Sequence, residues 1–275
     1  MLLFDPIYWI FSIPAAAAFM PADYEVPALR RAHDILRVLA AARAPVRPQQ
    51  LAQACDMPRS SLYLLLDSLA QRGWIEKVRD GYVVGLELMS LGAAYLRQDS
   101  LEPAFRTAAA RFVERHNEVM QLAVLDGVEA VYLAREDARR PVRLVSEIGS
   151  RLPAHACALG KALLASLDDA RLRTLLPAAL PAVTERTRTD REALLAELAE
   201  VRVQGLAQDQ EEVAAGLHCY AAYVGRTPQG KRVAVSTSLP TDRHDPAHLQ
   251  AVQLALLQAA RQIAARVGAQ ADTAD

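Results

Sequence analysis

The chain has 275 residues, of which 52% are hydrophobic and 23% charged, and its formal net charge at pH 7 is −1. This composition is typical of globular proteins with room for two domains, and it excludes disordered and fibrous chains. The three cysteines, Cys55, Cys157 and Cys219, are widely spaced, which excludes a disulfide framework and predicts a reducing, cytoplasmic location.

The first twenty residues are apolar but lack the features of an export or membrane signal. They have no basic start, and Asp5, Pro6 and Pro14 interrupt the apolar run. Such a run is too short and too broken for a spanning helix. We therefore predict a disordered extension over residues 1–25, no membrane role, and a disordered tail over residues 269–275.

Three helices are predicted between Val26 and Gly73. The second begins at Pro48, and the third, RSSLYLLLDSLAQRG, follows Pro58 and stops at Gly73. The first helix is indicated by apolar residues at spacings of three and four, namely Leu29, Ala32, Ile35, Leu36 and Leu39.

A β-hairpin is predicted directly after the third helix, in the segment WIEKVRDGYVVG. Its Asp80-Gly81 pair favours a type I′ turn, because that turn needs a positive φ at both central positions. Three helices followed by a hairpin predict a winged helix-turn-helix over residues 26–86.

The charge of this segment favours DNA binding. Residues 27–86 carry nine basic and five acidic side chains, a net +4, which leaves −5 for the rest of the chain. The alternative is a module that serves only dimerisation or protein docking. The outward face of the third helix, the residue before the second helix and the hairpin supply the predicted DNA contacts: Arg47, Arg59, Ser60, Ser61, Tyr63, Leu64, Lys77 and Arg79.

The remaining sequence predicts linker helices over residues 87–116 and an α+β domain over residues 117–268. Pro103 lies inside the helical stretch, so we expect two helices with a bend or break at that point. A closing helix is predicted from Pro246 to Val267. Between them, strand-like runs (VMQLAVLD, EAVYLARE, VRLVSEIG, CYAAYVG and KRVAVSTSL) flank three helical segments (CALGKALLASL, DDARLRTLL and TDREALLAELAEVRVQG).

Several of these segments, in the same order, resemble regulators of the IclR family. They are VPALRRAHDILRVLA, LAQACDMPRSSLYLLLDSLAQRGWIEK and YVVGLELMSLG, then GSRLPAHACALGKALLA, GLAQDQEEVAAGLHCYAAYV and VAVSTSLP, so the resemblance covers residues 26–266. It implies a ligand-responsive, sequence-specific transcription regulator with a winged helix-turn-helix, a linker that helps to dimerise the heads, and a GAF-like effector-binding domain. The implied partners are a double-stranded DNA operator, a small organic acid effector and further copies of the chain, as a homodimer or dimer of dimers. The chain departs from the family at two positions of the third helix. Leu64 stands where the family commonly has Arg, and Tyr63 stands where it often has another polar residue.

The polar groups inside the apolar runs are the expected effector ligands. Ser236 and Ser238 share one face of a strand, and Asp209 is expected in a loop just upstream of Cys219. Free N–H groups at the start of the helix KALLA attract carboxylates. The resemblance implies a site made of Ala158, Leu159, Gly160, Asp209, Cys219, Ser236 and Ser238. The alternatives are that Cys219 is only a small buried hydrophobic residue, that the two serines form hydrogen bonds with nearby backbone groups, and that Asp209 caps a loop.

A zinc site and an enzyme active site are not favoured by the sequence. His155, Cys157, His218 and Cys219 match no strong zinc spacing, and adjacent His218 and Cys219 would point to opposite faces of a strand. Cys219 as an enzyme nucleophile lacks a glycine elbow and an orienting third group, and ALGKALLA lacks the glycine and hydroxyl of a phosphate loop. We predict no metal, no cofactor and no catalysis, and control of a catabolic operon. A metal-responsive regulator and a hydrolase with a DNA-binding head stay as alternatives.

Overall fold

The structure is a computed structural model that describes residues 26–98, 100–139, 146–243 and 245–270. The extension predicted over residues 1–25 and most of the predicted tail (residues 271–275) lie outside this range. The chain divides into two compact units after Gln98, and each is described by itself.

The first unit contains the three predicted helices and the predicted β-hairpin, followed by one further helix. Its core consists of the inward faces of the helices together with Ile75 and Tyr82 of the hairpin. Leu29, predicted in that core, is instead 65% exposed. The elements are α1 (Pro27–Ala41), α2 (Pro48–Ala54), α3 (Arg59–Gln71), β1 (Ile75–Val78), β2 (Gly81–Val84) and α4 (Leu86–Leu96).

The hairpin is present, but the predicted type I′ turn is wrong. Val78 pairs with Gly81, so Arg79 and Asp80 form the connection, and neither has a positive φ. Gly81 has a φ of 153°, and a Cβ at this position would lie 2.4 Å from the carbonyl oxygen of Val46. Glycine is therefore needed so that the strand can approach the Val46 backbone, which pairs with Tyr82.

The second unit is an α+β domain built on one antiparallel sheet, with the strand order β5-β4-β3-β8-β7-β6. The two linker helices predicted around Pro103 are α4 and α5. Helix α4 ends at Leu96 and α5 begins at Leu101, so Pro103 lies in the first turn of α5, where proline is tolerated, and does not mark the break. The elements are α5 (Leu101–His116), β3 (Met120–Asp126), β4 (Glu129–Glu136), β5 (Arg151–Pro153), α6 (Ala158–Leu164), α7 (Asp169–Leu175), α8 (Arg191–Gln204), β6 (Ala207–Gln210), β7 (Leu217–Arg226), β8 (Arg232–Pro240) and α9 (Pro246–Val267).

Two strands differ from the sequence prediction. The run VRLVSEIG lies partly outside the described residues, and its described part, residues 146–149, forms no strand. The short strand β5 follows it and pairs with β4. The segment expected to be a loop around Asp209 is the edge strand β6, which pairs with β7. Past the closing helix, Gln270 still pairs with Arg226.

The sheet has a different helical cover on each face. On one face α5 and α9 pack on large apolar side chains such as Leu122 and Val235. On the other face α6 packs on smaller residues, among them Ala123, Ala221 and Ala234. Small residues under α6 leave the space in which the candidate effector site lies. Among the described residues, no helix has the length and apolar character that a membrane crossing requires.

Candidate functional site

Strand pairing brings the predicted polar residues of three strands together on the α6 side of the sheet. Asp209 of β6 pairs with Cys219 of β7, which pairs with Ser238 of β8. In the next row, Ser236 pairs with Gln121 of β3. Directly paired residues point to the same face, so these side chains form a polar patch on an otherwise apolar surface.

A cavity lies between this patch and the start of α6. It offers about 20 Å³ to the centre of a water-sized sphere, the room of roughly one ordered water molecule. Six of the seven predicted effector residues line it, and Gly160 does not. The full lining is Gln121, Tyr132, Ser146, Leu152, Cys157, Ala158, Leu159, Asp209, Val213, Leu217, Cys219, Ser236 and Ser238.

Asp209 is the only acidic side chain of the described lining, and it is 1% exposed. Its Oδ1 accepts a hydrogen bond of 2.6 Å from the backbone N–H of Glu212, whereas its Oδ2 is buried without a hydrogen-bond partner. Burial and the nearby charge of Glu212 raise the pKa of Asp209 to about 7, against the lowering effect of Lys161 and two backbone N–H groups. The cavity thus contains one buried carboxyl oxygen, beside the Cys219 thiol, that accepts no hydrogen bond of ordinary geometry in the structure.

The two cysteines of the cavity are protonated thiols. Burial raises the pKa of Cys157 to about 12 and that of Cys219 well above its usual range. The Cys219 Sγ lies 3.1 Å from the Ser238 Oγ, and the Cys157 Sγ accepts from the Gly160 N–H at 3.3 Å. A thiolate nucleophile or metal ligand is disfavoured at such sites. In the described part of the chain, no group of three or more His, Cys, Asp or Glu is arranged to hold a metal, and the His155 ring contacts the carbonyl of Pro181 at 2.9 Å.

Gly160 has a packing role in the structure. A Cβ there would lie 2.2 Å from the Cα and carbonyl oxygen of Ala154. Its N–H already donates to Cys157, so within the first turn of α6 only Ala158 and Leu159 are left to direct N–H groups at a ligand.

Gln121 and Ser146 also line the cavity, and neither was predicted as a site residue. The Gln121 side-chain N–H₂ donates to the Ser146 hydroxyl at 2.7 Å, and both residues are buried. A signal for Gln121 was available, since it is the one polar residue within the apolar run VMQLAVL. Ser146 lies in the run VRLVSEIG, which was predicted as a strand, and its described part has no regular structure.

Lys161, which follows Gly160 on α6, was also missed. Its side chain is completely buried, and its Nζ donates to Glu197 of α8 at 2.7 Å and to Glu212 at 2.5 Å. Glu212 in turn supplies the N–H that binds Asp209. A buried ionic cluster therefore adjoins the cavity and connects it to α8.

The predicted DNA contacts lie in the first unit and are exposed, except for the half-buried Ser61. Helix α3 buries Leu62, Leu66 and Leu69 in the core of the unit. That packing turns the opposite face outward, so Arg59, Ser60, Tyr63 and Leu64 face solvent, while Lys77 and Arg79 lie at the hairpin tip and Arg47 precedes α2. This is the placement that a helix needs in order to enter a major groove.

Comparison with known proteins identifies the architecture. Residues 93–265 match the family of the bacterial transcriptional regulator IclR C-terminal domain, and residues 28–79 match the IclR helix-turn-helix domain. The chain is 32% identical over 241 residues to the HTH-type transcriptional regulator BhcR of Paracoccus denitrificans, which covers 86% of each protein. It is 28% identical over 258 residues to the transcriptional repressor IclR of Escherichia coli, which covers 92% of this chain and 94% of that one.

A similar solved structure is an IclR homologue from Microbacterium hydrocarbonoxydans complexed with 4-hydroxybenzoate. It has a TM-score of 0.75 and 25% identity, and it covers 88% of this chain and 99% of that one. The named relatives are transcriptional regulators and not enzymes, which excludes the hydrolase alternative. This chain belongs to the IclR family of bacterial transcriptional regulators.

Proposed function

We propose that this regulator binds a small hydroxylated organic acid in the cavity between α6 and the sheet, and that the acid controls its binding to the operator of a catabolic operon. The observation that carries the proposal is the buried, unpartnered Oδ2 of Asp209 in a row with Cys219 and Ser238. Buried polar groups are normally paired, so an unpaired oxygen in a cavity indicates a donor that binds there.

The chemistry of the lining favours a ligand with two polar ends. The carboxylate of the acid meets the Ser236 and Ser238 hydroxyls and the N–H groups of Ala158 and Leu159, and a hydroxyl donates to Asp209. 4-Hydroxybenzoate, found in the Microbacterium homologue, carries both groups. That likeness supports the ligand class and does not select one acid.

The DNA is bound by two copies of the first unit, in a homodimer or a dimer of dimers. Helix α4 has no buried residue although its sequence is apolar, and Leu86 and Met89 are 69% and 71% exposed. One winged helix covers too little DNA for a specific site, and exposed apolar patches commonly mark protein interfaces. We place the regulator in the cytoplasm, which suits its DNA target and three free cysteines.

The test is the selection of binding sites from genomic fragments by the full-length protein, with and without a panel of hydroxylated and unhydroxylated carboxylic acids. We expect a short palindromic site, and a change of affinity with one hydroxy acid. Arg59→Ala is expected to weaken specific binding by about 1–3 kcal/mol, the range for a base contact.

The matched effector variant is Ser236→Ala with Ser238→Ala. It is expected to lose the response to the acid while its operator binding without the acid stays normal. A normal response in the double variant would remove both serines from the site. Failure to enrich any sequence at moderate salt would instead indicate that the first unit is a protein-docking module.

A further inference from the structure

The DNA-facing surface of α3 has an apolar centre. Leu64 is 73% exposed and Tyr63 is 49% exposed, and neither belongs to the core that Leu62 and Leu66 help to form. Ser60 lies one helical turn before Leu64 on the same face, and Arg59 precedes it. An apolar side chain therefore projects from the middle of a surface whose other predicted contacts are basic or hydroxylic.

An exposed leucine in a major groove has one good partner. A leucine side chain cannot form hydrogen bonds with the edges of the four bases. Against a phosphate it would displace water without replacing the lost hydrogen bonds. The C5-methyl group of thymine is the apolar group that the major groove presents. Burial of a methyl against an alkyl side chain is favourable by about the free energy of one buried CH₂.

The position of Leu64 also predicts where this base lies. Residues 60 and 64 are separated by about 6 Å along the helix axis, and successive bases of one strand by about 3.4 Å. For a helix that lies along the groove, the base that meets Leu64 is therefore about two steps from the base nearest Ser60.

We propose that Leu64 is a specificity-determining residue, and that each operator half-site carries a thymine whose methyl group packs against it. This inference rests on the proposed DNA binding by α3. Leu64 would then supply a preference for one base. The positive charge of the surface does not provide such a preference, since phosphate contacts carry no sequence information.

The experiment replaces thymine by uracil, one position at a time, in the operator selected with the full-length protein. This exchange removes only the methyl group. For the unaltered protein we expect one position per half-site at which the exchange weakens binding about four-fold, which is one methyl burial converted at 1.36 kcal/mol per tenfold. Leu64→Ala is expected to bind the thymine and uracil operators equally.

Two further variants test whether the discrimination depends on an apolar side chain at position 64. Leu64→Asn keeps the length and branching of the side chain but replaces both methyl groups with polar atoms, and it is also expected to lose the discrimination. Leu254→Ala removes an exposed leucine of the second unit and is expected to keep it. Since Leu64 lies outside the core, equal unfolding midpoints will show that the variants are folded.

The outcomes are distinct from those that test the proposed function. If an operator is selected but no uracil exchange weakens binding, or if Leu64→Ala remains equally sensitive, Leu64 does not read a thymine while the regulator still binds DNA. If Leu64→Ala changes only the oligomeric state, the surface is a protein contact and the inference is wrong. If no sequence is enriched, the proposed DNA binding fails, and this inference fails with it.

Discussion

Asp209, the proposed acceptor for the effector hydroxyl, is buried in the second unit. Its carboxyl group is buried; Oδ1 accepts a hydrogen bond from the Glu212 N–H, and Oδ2 has no hydrogen-bond partner. Because burial disfavours the charged form, the pKa of Asp209 rises from its ordinary value of 3.8 to about 7. Between these values the folded protein holds a proton that the unfolded chain releases, so stability falls as pH rises from about 4 to 7.

We therefore expect Asp209→Asn to flatten this part of the stability profile. The asparagine keeps an oxygen for the Glu212 N–H but has no charge to desolvate. Between pH 5 and pH 8, the free energy of urea unfolding is expected to fall by roughly 2.7 kcal/mol more in the unaltered protein than in the variant, since the slope is 1.36 kcal/mol per pH unit up to the pKa near 7. Asp242→Asn, at an exposed aspartate, is the control. Parallel profiles for Asp209→Asn and the unaltered protein would show that Asp209 is ionised in the fold throughout this range.

At the scale of elements, α6 joins the sheet to the outer helices through Lys161. All seven residues of α6 are buried, and Lys161 binds Glu197 and Glu212 from two different segments. A buried ion pair contributes little net stability compared with apolar residues of the same shape, but the loss of one partner leaves the other charges uncompensated.

Lys161→Met is accordingly expected to destabilise the second unit by about 3–5 kcal/mol, because the buried Glu212 loses its cation and Glu197 keeps only the more exposed Arg188. Combining it with Glu197→Gln and Glu212→Gln should restore much of that loss, since neither buried carboxylate then remains without its cation and Arg188 is exposed enough to be solvated. Arg188, the more exposed partner of Glu197, is the matched control, and Arg188→Met should cost at most about 1 kcal/mol. Chemical denaturation of the four proteins measures this, and a triple variant no more stable than Lys161→Met would contradict it.

The elements also show what the sequence can predict and what it cannot. Periodicity was enough for the helices, because apolar stripes such as Leu62, Leu66 and Leu69 report directly on burial. It failed for β6, where Gln208 and Gln210 are the outward residues of an edge strand and made the segment look like a loop. Gly160 was assigned to the ligand site because small residues permit close approach, but the group that approaches it is the Ala154 backbone, which depends on tertiary packing that no local pattern reports.

For the whole molecule, the exposed apolar face of α4 bears on assembly. Met89→Lys combined with Leu86→Lys places charges on this face, and charges are costly to bury in an interface. We expect the double variant to sediment as a smaller species and to bind the operator more weakly, because two half-sites are no longer held by one assembly. Leu254→Lys adds a charge at an exposed leucine of the second unit and should change neither property. An unchanged sedimentation coefficient in the double variant would place the interface elsewhere.

The cavity above the sheet is small enough to govern the speed of the response. With space for about one water molecule, it would admit the proposed organic acid only after its wall had moved. The rate of association then falls below that of diffusional encounter, and the apparent dissociation constant is the intrinsic one divided by the fraction of molecules that are open. Substitutions that enlarge the cavity are therefore expected to change the effector concentration at which the regulator responds and the delay before the response. They are not expected to change which acid is bound.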